Sequence, residues 1–389
     1  MREVVLALNI GSSSIKLAAF DASSLDPVLR CGVADIGRDA HASFEMAGGA
    51  RLDAPAMPDA MDVQTAVHWL LDVMHLRCPR LRIVAIGHRV VHGGARLDRP
   101  VRIDEAVLAE LEALVPLAPA HQPAAIAVIR SLGTLLPGMP QIACFDTAFH
   151  RTQPKLSQWF ALPRALSESG IVRAGFHGLS YEYIASALPA VAGAAAHDKV
   201  VAAHLGHGAS VCAMRGLRSV ATSMGLTPFD GLMMGTRCGA IDPGVLLYLL
   251  QEHEMGTHEL ADLLGNRSGL LGVSGISDDV RTLEASADPR AGEALDMFAG
   301  RAASAIAALG TQLDGLEALV FTGGIGEHAS AMRRRICDRL GWLGVSLDHE
   351  ANLRHARRID GEHASVRVFV IPTDEEVVIA RAARRLLLC

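Results

Sequence analysis

Six short segments place a charged or imidazole side chain at the end of an apolar run, five of them with glycine or proline beside it. They are His88-Arg89-Val90-Val91-His92-Gly93-Gly94, Phe145-Asp146-Thr147-Ala148-Phe149-His150 and Gly175-Phe176-His177-Gly178 in the first half. Met234-Gly235-Thr236-Arg237-Cys238-Gly239, Gly323-Gly324-Ile325-Gly326-Glu327-His328 and Pro372-Thr373-Asp374-Glu375-Glu376 follow. Each alone has an ordinary reading: an arginine after a strand usually makes a surface ion pair, and a histidine in a glycine turn usually bonds its own loop. Two further segments change the balance. Asn9-Ile10-Gly11-Ser12-Ser13-Ser14-Ile15-Lys16 is an apolar strand, a Gly/Ser turn and a second strand. Val200 to Val211 repeats that plan, with Gly206 over Gly11 and His204 over Asn9. Glycine lets backbone N–H groups approach an anion, and serine hydroxyls add donors. Two arginines, two acids and two anion-cradling turns are the parts phosphoryl transfer needs.

That chemistry asks for cations and donors, because a transferring phosphoryl spreads negative charge over three equatorial oxygens. Arg89 and Arg237 can supply planar, permanently charged forks. Glu375 with Asn9 could hold Mg²⁺, directly or through waters, since magnesium keeps most of its waters and takes few carboxylates. No general base stands out beside the turns. A carboxylate acceptor would need none, being ionised at neutral pH.

The elements that must position these groups alternate. Strand-like runs fall at Val4–Leu8, Ile83–Ile86, Gln141–Phe145, Val200–His204, Ala318–Thr322 and Val366–Ile371, with helical patterns at Ala106–Leu114, Pro123–Leu132 and Leu295–Leu313. Such alternation predicts an α/β protein with mixed sheets. At 389 residues, two domains are expected. The boundary is placed near residues 148–152, giving an N-terminal domain 1–150 and a C-terminal domain 151–372. The closing segment, about 373–389, is expected to fold back onto the first domain and bring Glu375 to the cleft. The glycine-rich stretch 225–244 is too long for an idle connection, and long loops of this kind carry function.

Composition excludes several classes. Net charge is −6 and lysine and arginine are nowhere concentrated, which argues against nucleic acid or an anionic membrane as partner. No apolar run reaches the ~18 residues of a membrane span. The chain opens on a strand pattern, with no signal peptide expected ahead of it. Seven cysteines without a C-x-x-C pair suit reduced thiols, and a cytoplasmic location is expected. Among the 17 histidines, His253 and His258 stand five apart, so they fall on different helix faces and do not make a zinc motif. A nucleotide-driven switch without transfer remains a competing reading. It would need the turns but not a small apolar pocket rimmed by arginines.

NIGSSSIK, HRVVHGG, FDTAFH, GFHGLSYEYI, HLGHGAS, GLTPFDGLMMGTRCGAIDPGV, FTGGIGEH and PTDEE, in this order, closely resemble the acetate kinase family of acetate and propionate kinases. The resemblance implies the actin/sugar-kinase superfold: two duplicated ribonuclease H-like domains with an interdomain active-site cleft. It implies transfer of a phosphoryl group from ATP to a short-chain carboxylate, with Mg²⁺ or Mn²⁺, in a cytoplasmic homodimer. By position, Asn9, Ser12, Ser14 and Lys16 match the first phosphate turn and its metal residue. Arg89 and Arg237 match the arginines beside the transferring group, and His177 the imidazole that bonds it. Asp146 and Glu375 match the acidic pair, with Glu375 linked to the metal. Nucleotide contacts match His204, Leu205, Gly206, His207 and Gly208, then Asp279, Val280 and Arg281, then Gly324, Ile325, Gly326, Glu327 and His328. Val91, Phe176 and Pro228 match the wall for the acid's alkyl end. Ala120 stands where that wall has leucine, which predicts propionate used at least as well as acetate. His207 and His328 replace asparagines, and Cys238 and Ala240 replace a serine and an acid.

Overall fold

The computed structural model describes residues 1–11, 14–37, 40–58 and 61–388. Ser12 of the first turn lies outside them. Two compact units emerge: unit 1 comprises Met1–Phe149 with Asp374–Cys389, and unit 2 comprises His150–Thr373.

Unit 1 is built on a sheet of seven strands: β1 (Arg2–Ile10), β2 (Ile15–Asp21), β3 (Pro27–Ala34), β4 (His41–Met46), β5 (Leu81–Val90), β6 (Val101–Arg102) and β7 (Gln141–Phe145). Their order is β4-β3-β2-β1-β5-β7-β6. The first four pair antiparallel, while β5 runs parallel to both β1 and β7. The β1 run Val4–Ile10 is buried throughout, as a central strand covered on both faces must be. Leu6 and Leu8 join a core with Leu70 of helix Val63–Arg77 and with Val128 and Leu132 of helix Gln122–Leu135. The C-terminal helix Glu375–Leu387 packs on β1, β5 and β7. It comes so close that a Cβ on Gly87 would lie 2.4 Å from Ile379 Cγ2.

Unit 2 carries five strands: β8 (Val200–Leu205), β9 (Ala209–Arg215), β10 (Arg218–Thr222), β11 (Ala318–Thr322) and β12 (Arg367–Val370). Their order is β10-β9-β8-β11-β12. Again three strands are antiparallel and the next two are parallel. Removing β4 and β6 from unit 1 leaves the same order and the same sense, β3-β2-β1-β5-β7. The repeat seen between the two Gly turns is therefore a repeat of whole sheets. Each turn joins the first strand of its sheet to the second. Helix Gly178–Ala192 packs on β8, and helix Pro289–Thr311 packs on β8 and β9.

Candidate active site

In unit 1, strand periodicity collects the polar groups. Successive residues of a strand point to opposite faces, and Leu6 and Leu8 already face the helices Val63–Arg77 and Gln122–Leu135. Asn9 therefore shares the opposite face with Val5 and Ala7, under the C-terminal helix. Register carries this across the sheet: Ala7 pairs with Gly87, and Arg89 with Cys144. Arg89 and Asp146 thus project from the face that carries Asn9. Arg89 forks onto Asp146 through Nε (3.0 Å) and Nη2 (2.6 Å), and its Nη1 donates to Asn9 Oδ1 at 3.1 Å. Burial disfavours the guanidinium charge, but Asp146, with Glu375 and Glu376 behind it, outweighs that penalty and raises the pKa. Arg89 is a fixed cation.

The first turn of the C-terminal helix supplies two carboxylates. Asn9 Nδ2 donates to Glu375 Oε2 at 2.8 Å and to Glu376 Oε1 at 3.0 Å. Burial and the neighbouring Glu375 push the Glu376 pKa up, against the opposing pull of Lys16 and Asn9. Two adjacent buried carboxylates favour any cation that reaches them. The donors, carboxylate and amide oxygen, are the hard ligands magnesium takes, and they are few enough to leave it most of its waters. The described residues hold no cluster of three or more histidine, cysteine, aspartate or glutamate ligands that would suit a protein-caged metal. Glu375 and Asn9 fit magnesium. Lys16, paired with Asn9 across the turn, is exposed, and Ser14 closes the turn by accepting from Gly11 N at 2.7 Å.

In unit 2, His177 sits at φ +58° as the residue before helix Gly178–Ala192. Its ring stacks on His204 of β8, with centroids 4.2 Å apart. A Cβ on Gly208 would meet Arg237 Nη2 at 2.9 Å and His177 Nε2 at 3.1 Å. Arg237 and His177 therefore converge on the second glycine turn, at a spot only glycine leaves open. Arg237 Nη1 donates to the Pro228 carbonyl at 2.8 Å, so the loop that carries the arginine is tied to the residue proposed as pocket wall. Phe176, the residue before His177, is buried, and its carbonyl accepts from His150 Nε2 at 2.9 Å.

The remaining sequence-derived positions divide clearly. Gly206 and Gly324 approach each other: a Cβ on Gly206 would lie 3.9 Å from Gly324 N, and Gly324 itself faces open space. Leu205 and Gly326 are buried. Ile325 is half-buried, and Glu327 is turned inward, accepting from Gly323 N (2.8 Å) and Thr373 N (3.0 Å), so it braces the turn. His328 is exposed. Asp279 caps the short helix Val280–Glu284 by accepting from Arg281 N, and the Arg281 guanidinium returns to it at 2.6 Å. His207 is engaged by Asp278, Nε2 to Oδ2 at 3.1 Å, and lies against Gly235 of the Arg237 loop. In unit 1, Val91 is buried and Ala120 is exposed. Sequence reasoning passed over Glu376, His150, Tyr181, Ser210 and Asp278. Their motifs were visible, but only side-chain partners reveal what they hold.

A model of the Acetokinase family matches residues 4–381 of this chain. The chain belongs to the acetokinase family. It is 51% identical over 394 residues, 99% of each chain, to a protein named acetate kinase from Rhodopseudomonas palustris. Another acetate kinase, from Nitrobacter hamburgensis, is 47% identical over 99% of this chain and 96% of that one. Among solved structures, a propionate kinase from Francisella tularensis superposes with a TM-score of 0.90 at 34% identity, covering 98% of this acetokinase and 99% of that chain. An acetate kinase from Porphyromonas gingivalis gives a TM-score of 0.85 at 33% identity over the whole of both chains.

Proposed function

We propose that this acetokinase transfers the γ-phosphoryl group of ATP directly, and reversibly, to acetate, giving acetyl phosphate and ADP. The observation that carries the reading is the convergence of Arg237 and His177 Nε2 above Gly208. It places a permanent cation and a second donor at a glycine turn, where phosphoryl oxygens would gather charge in the transition state. Arg89, fixed by Asp146, supplies the second cation and can also hold the acid's carboxylate. That carboxylate attacks without a base, since it is already ionised. Asn9 and Glu375 would hold magnesium, which supplies charge neutralisation on the phosphates when bound. Gly206, Gly208 and Gly324 would admit the nucleotide, with Asp279, Val280 and Arg281 beside it. Within unit 2, Phe176 and Pro228 would meet the alkyl end.

Acetate is the acid favoured by the names of the relatives, and propionate is the alternative that Ala120 raises. A hydroxamate assay for acyl phosphate over acids of increasing length decides between them. ATP consumption that does not depend on any short acid would overturn the kinase reading altogether. Inversion at phosphorus is expected with a chiral donor, and net retention would sink direct transfer.

A homodimer is the assembly we propose. Helix Pro243–Gln251 buries none of its residues, and Leu247 and Tyr248 are 56% and 57% exposed. An uncharged apolar helix of this kind suits the same surface on a second copy. Leu247→Glu should convert the protein to a monomer by light scattering. We place the enzyme in the cytoplasm, where ATP and free acids meet. No helix among the described residues is long and apolar enough to cross a membrane.

A further inference from the structure

Arg333, in helix Ser330–Cys337, is completely buried, and no carboxylate among the described residues pairs with it. All the N–H groups of its fork meet neutral acceptors instead. Nε donates to Asn352 Oδ1 at 2.8 Å, and Nη2 donates to the Asn352 carbonyl at 2.8 Å and to His355 Nδ1 at 3.1 Å. Nη1 donates to the carbonyls of Gly326 and Glu327, each at 2.9 Å. Asn352 is itself fixed, donating from Nδ2 to the Ser330 carbonyl at 2.9 Å. Burial lowers the Arg333 pKa only to about 10, so the guanidinium is charged at neutral pH.

We propose that Arg333 is a positioning residue for nucleotide binding, which holds the turn Gly323–His328 in its binding shape before any nucleotide arrives. The proposal rests on the reading of that turn as part of the ATP site, and it follows from where the turn's backbone bonds go. Gly323–His328 is a short helix, and Ala329 N closes its ladder on the Ile325 carbonyl at 2.9 Å. The next two carbonyls, Gly326 and Glu327, are of the kind a helix end leaves without an intrahelical partner. They are the two that Arg333 takes. At the other end, Glu327 Oε1 accepts from Gly323 N at 2.8 Å and from Thr373 N at 3.0 Å. Side chains thus hold the turn at both ends, while Gly324, next to Gly206, faces open space.

Packing alone does not ask for an arginine here. A methionine would fill much of the same space without a buried charge, and buried ionic groups can often be replaced by apolar ones without loss of stability. Methionine cannot bond two consecutive carbonyls of the turn while anchored on a second helix, His349–Leu353, through Asn352. Lysine would keep the charge, but its single ammonium lacks the planar fork that fixes direction. The cation also faces the C-terminal end of the turn, where carbonyl dipoles favour it.

The test titrates the full chain with ADP and magnesium by calorimetry, which needs no phosphoryl transfer. Arg333→Met should raise the Kd for ADP and the KM for ATP by about 10- to 100-fold, the scale on which an outer orienting partner acts. At saturating ATP, kcat and the KM for the acid should be unchanged. Arg333→Lys should fall between the two proteins. A merely structural role gives the opposite split, because a smaller folded fraction lowers kcat and leaves KM alone. That outcome, or an unchanged Kd for ADP, overturns the proposal. If neither variant folds, hydrogen exchange on the unmodified chain decides. The Ala329 and Arg333 amides, bonded to the Ile325 and Ala329 carbonyls, should already exchange slowly without nucleotide. Exchange that slows there only once ADP is bound overturns the proposal as well. The two readings fail separately. Equal ADP binding by the unmodified chain and Arg333→Met removes only the role of Arg333. An unmodified chain that binds no ADP removes the nucleotide reading, and this proposal with it.

Discussion

Arg89 and Arg237 look alike in the sequence, each an arginine after an apolar stretch and near glycine. Side-chain partners separate them. Arg89 is clamped by a carboxylate that is almost wholly buried, while Arg237 bonds a carbonyl and reaches the glycine turn at Gly208. Breaking a buried pair by removing the carboxylate leaves a charge without its partner, so Asp146→Ala should cost about 3–5 kcal/mol of stability. Arg237→Ala should cost on the order of 10³-fold in kcat, the loss of a cation that offsets transition-state charge. It should barely move the unfolding midpoint. Calorimetry and steady-state rates on the two variants check both at once; a stable Asp146→Ala or a fast Arg237→Ala would exchange the roles. The proposed site residues could be picked out as residue types in suggestive company. Their supports were not: Tyr181 and Ser210 are ordinary core residues by composition, and only a 2.6 Å contact makes them a unit.

At the scale of elements, the C-terminal helix Glu375–Leu387 has the largest consequence. Asp374 caps it by accepting from Val377 N, and Arg30 of β3 pins Asp374 at 2.5 Å, fixing the turn that presents Glu375 and Glu376 to Asn9. Its height above the sheet is set by Gly87. A methyl there would meet Ile379 Cγ2 at 2.4 Å and the Ile379 carbonyl at 3.2 Å, and backbone cannot step aside as a side chain can. Gly87→Ala should therefore destabilise the protein by about 1–3 kcal/mol, the usual cost of overpacking. It should also raise the magnesium concentration needed for half-maximal rate, because the helix carries Glu375 with it. Unchanged magnesium dependence would mean that the helix start is held independently of its body. Strands with continuous apolar runs could be read directly: Gln141–Phe145 and Ala318–Thr322 coincide with β7 and β11. β4 escaped notice because polar residues alternate through it, as suits a strand at the sheet edge, and β3 because Pro27, Arg30 and Gly32 interrupt its apolar run. Helix Gly178–Ala192 was hidden by Pro189, which sits in its last turn, where it costs one backbone bond without ending the helix early.

For the whole molecule, the repeated turn in the sequence announced a repeated sheet, and both sheets have the same strand order once edge additions are removed. Each unit also buries a neutral histidine beneath its sheet or site, which gives the protein a common weakness to acid. In unit 1, Gln141 Nε2 donates to the Ile129 carbonyl, so its Oε1 accepts from His88 Nε2 at 2.8 Å, and His88 Nδ1 is buried without a partner. A proton added there would have no acceptor, and burial lowers the His88 pKa to about 4. In unit 2, burial likewise lowers His150 to about 4, although the Phe176 carbonyl opposes the shift. Unfolded, each imidazole would titrate near its ordinary 6.5. Between these values the unfolded chain binds more protons than the folded one, so stability is full above about pH 6.5 and is lost as pH falls toward about 4. Each histidine contributes at most about 1.4 kcal/mol per pH unit across that window. His88→Gln keeps a donor for Gln141 but cannot take up a proton. Its unfolding midpoint, followed from neutral pH down to the acid limit, should therefore fall less steeply than that of the unmodified protein. Parallel curves for the two proteins would mean that His88 stays neutral in both states or is already solvated in the fold, and that acid lability arises from the carboxylates instead.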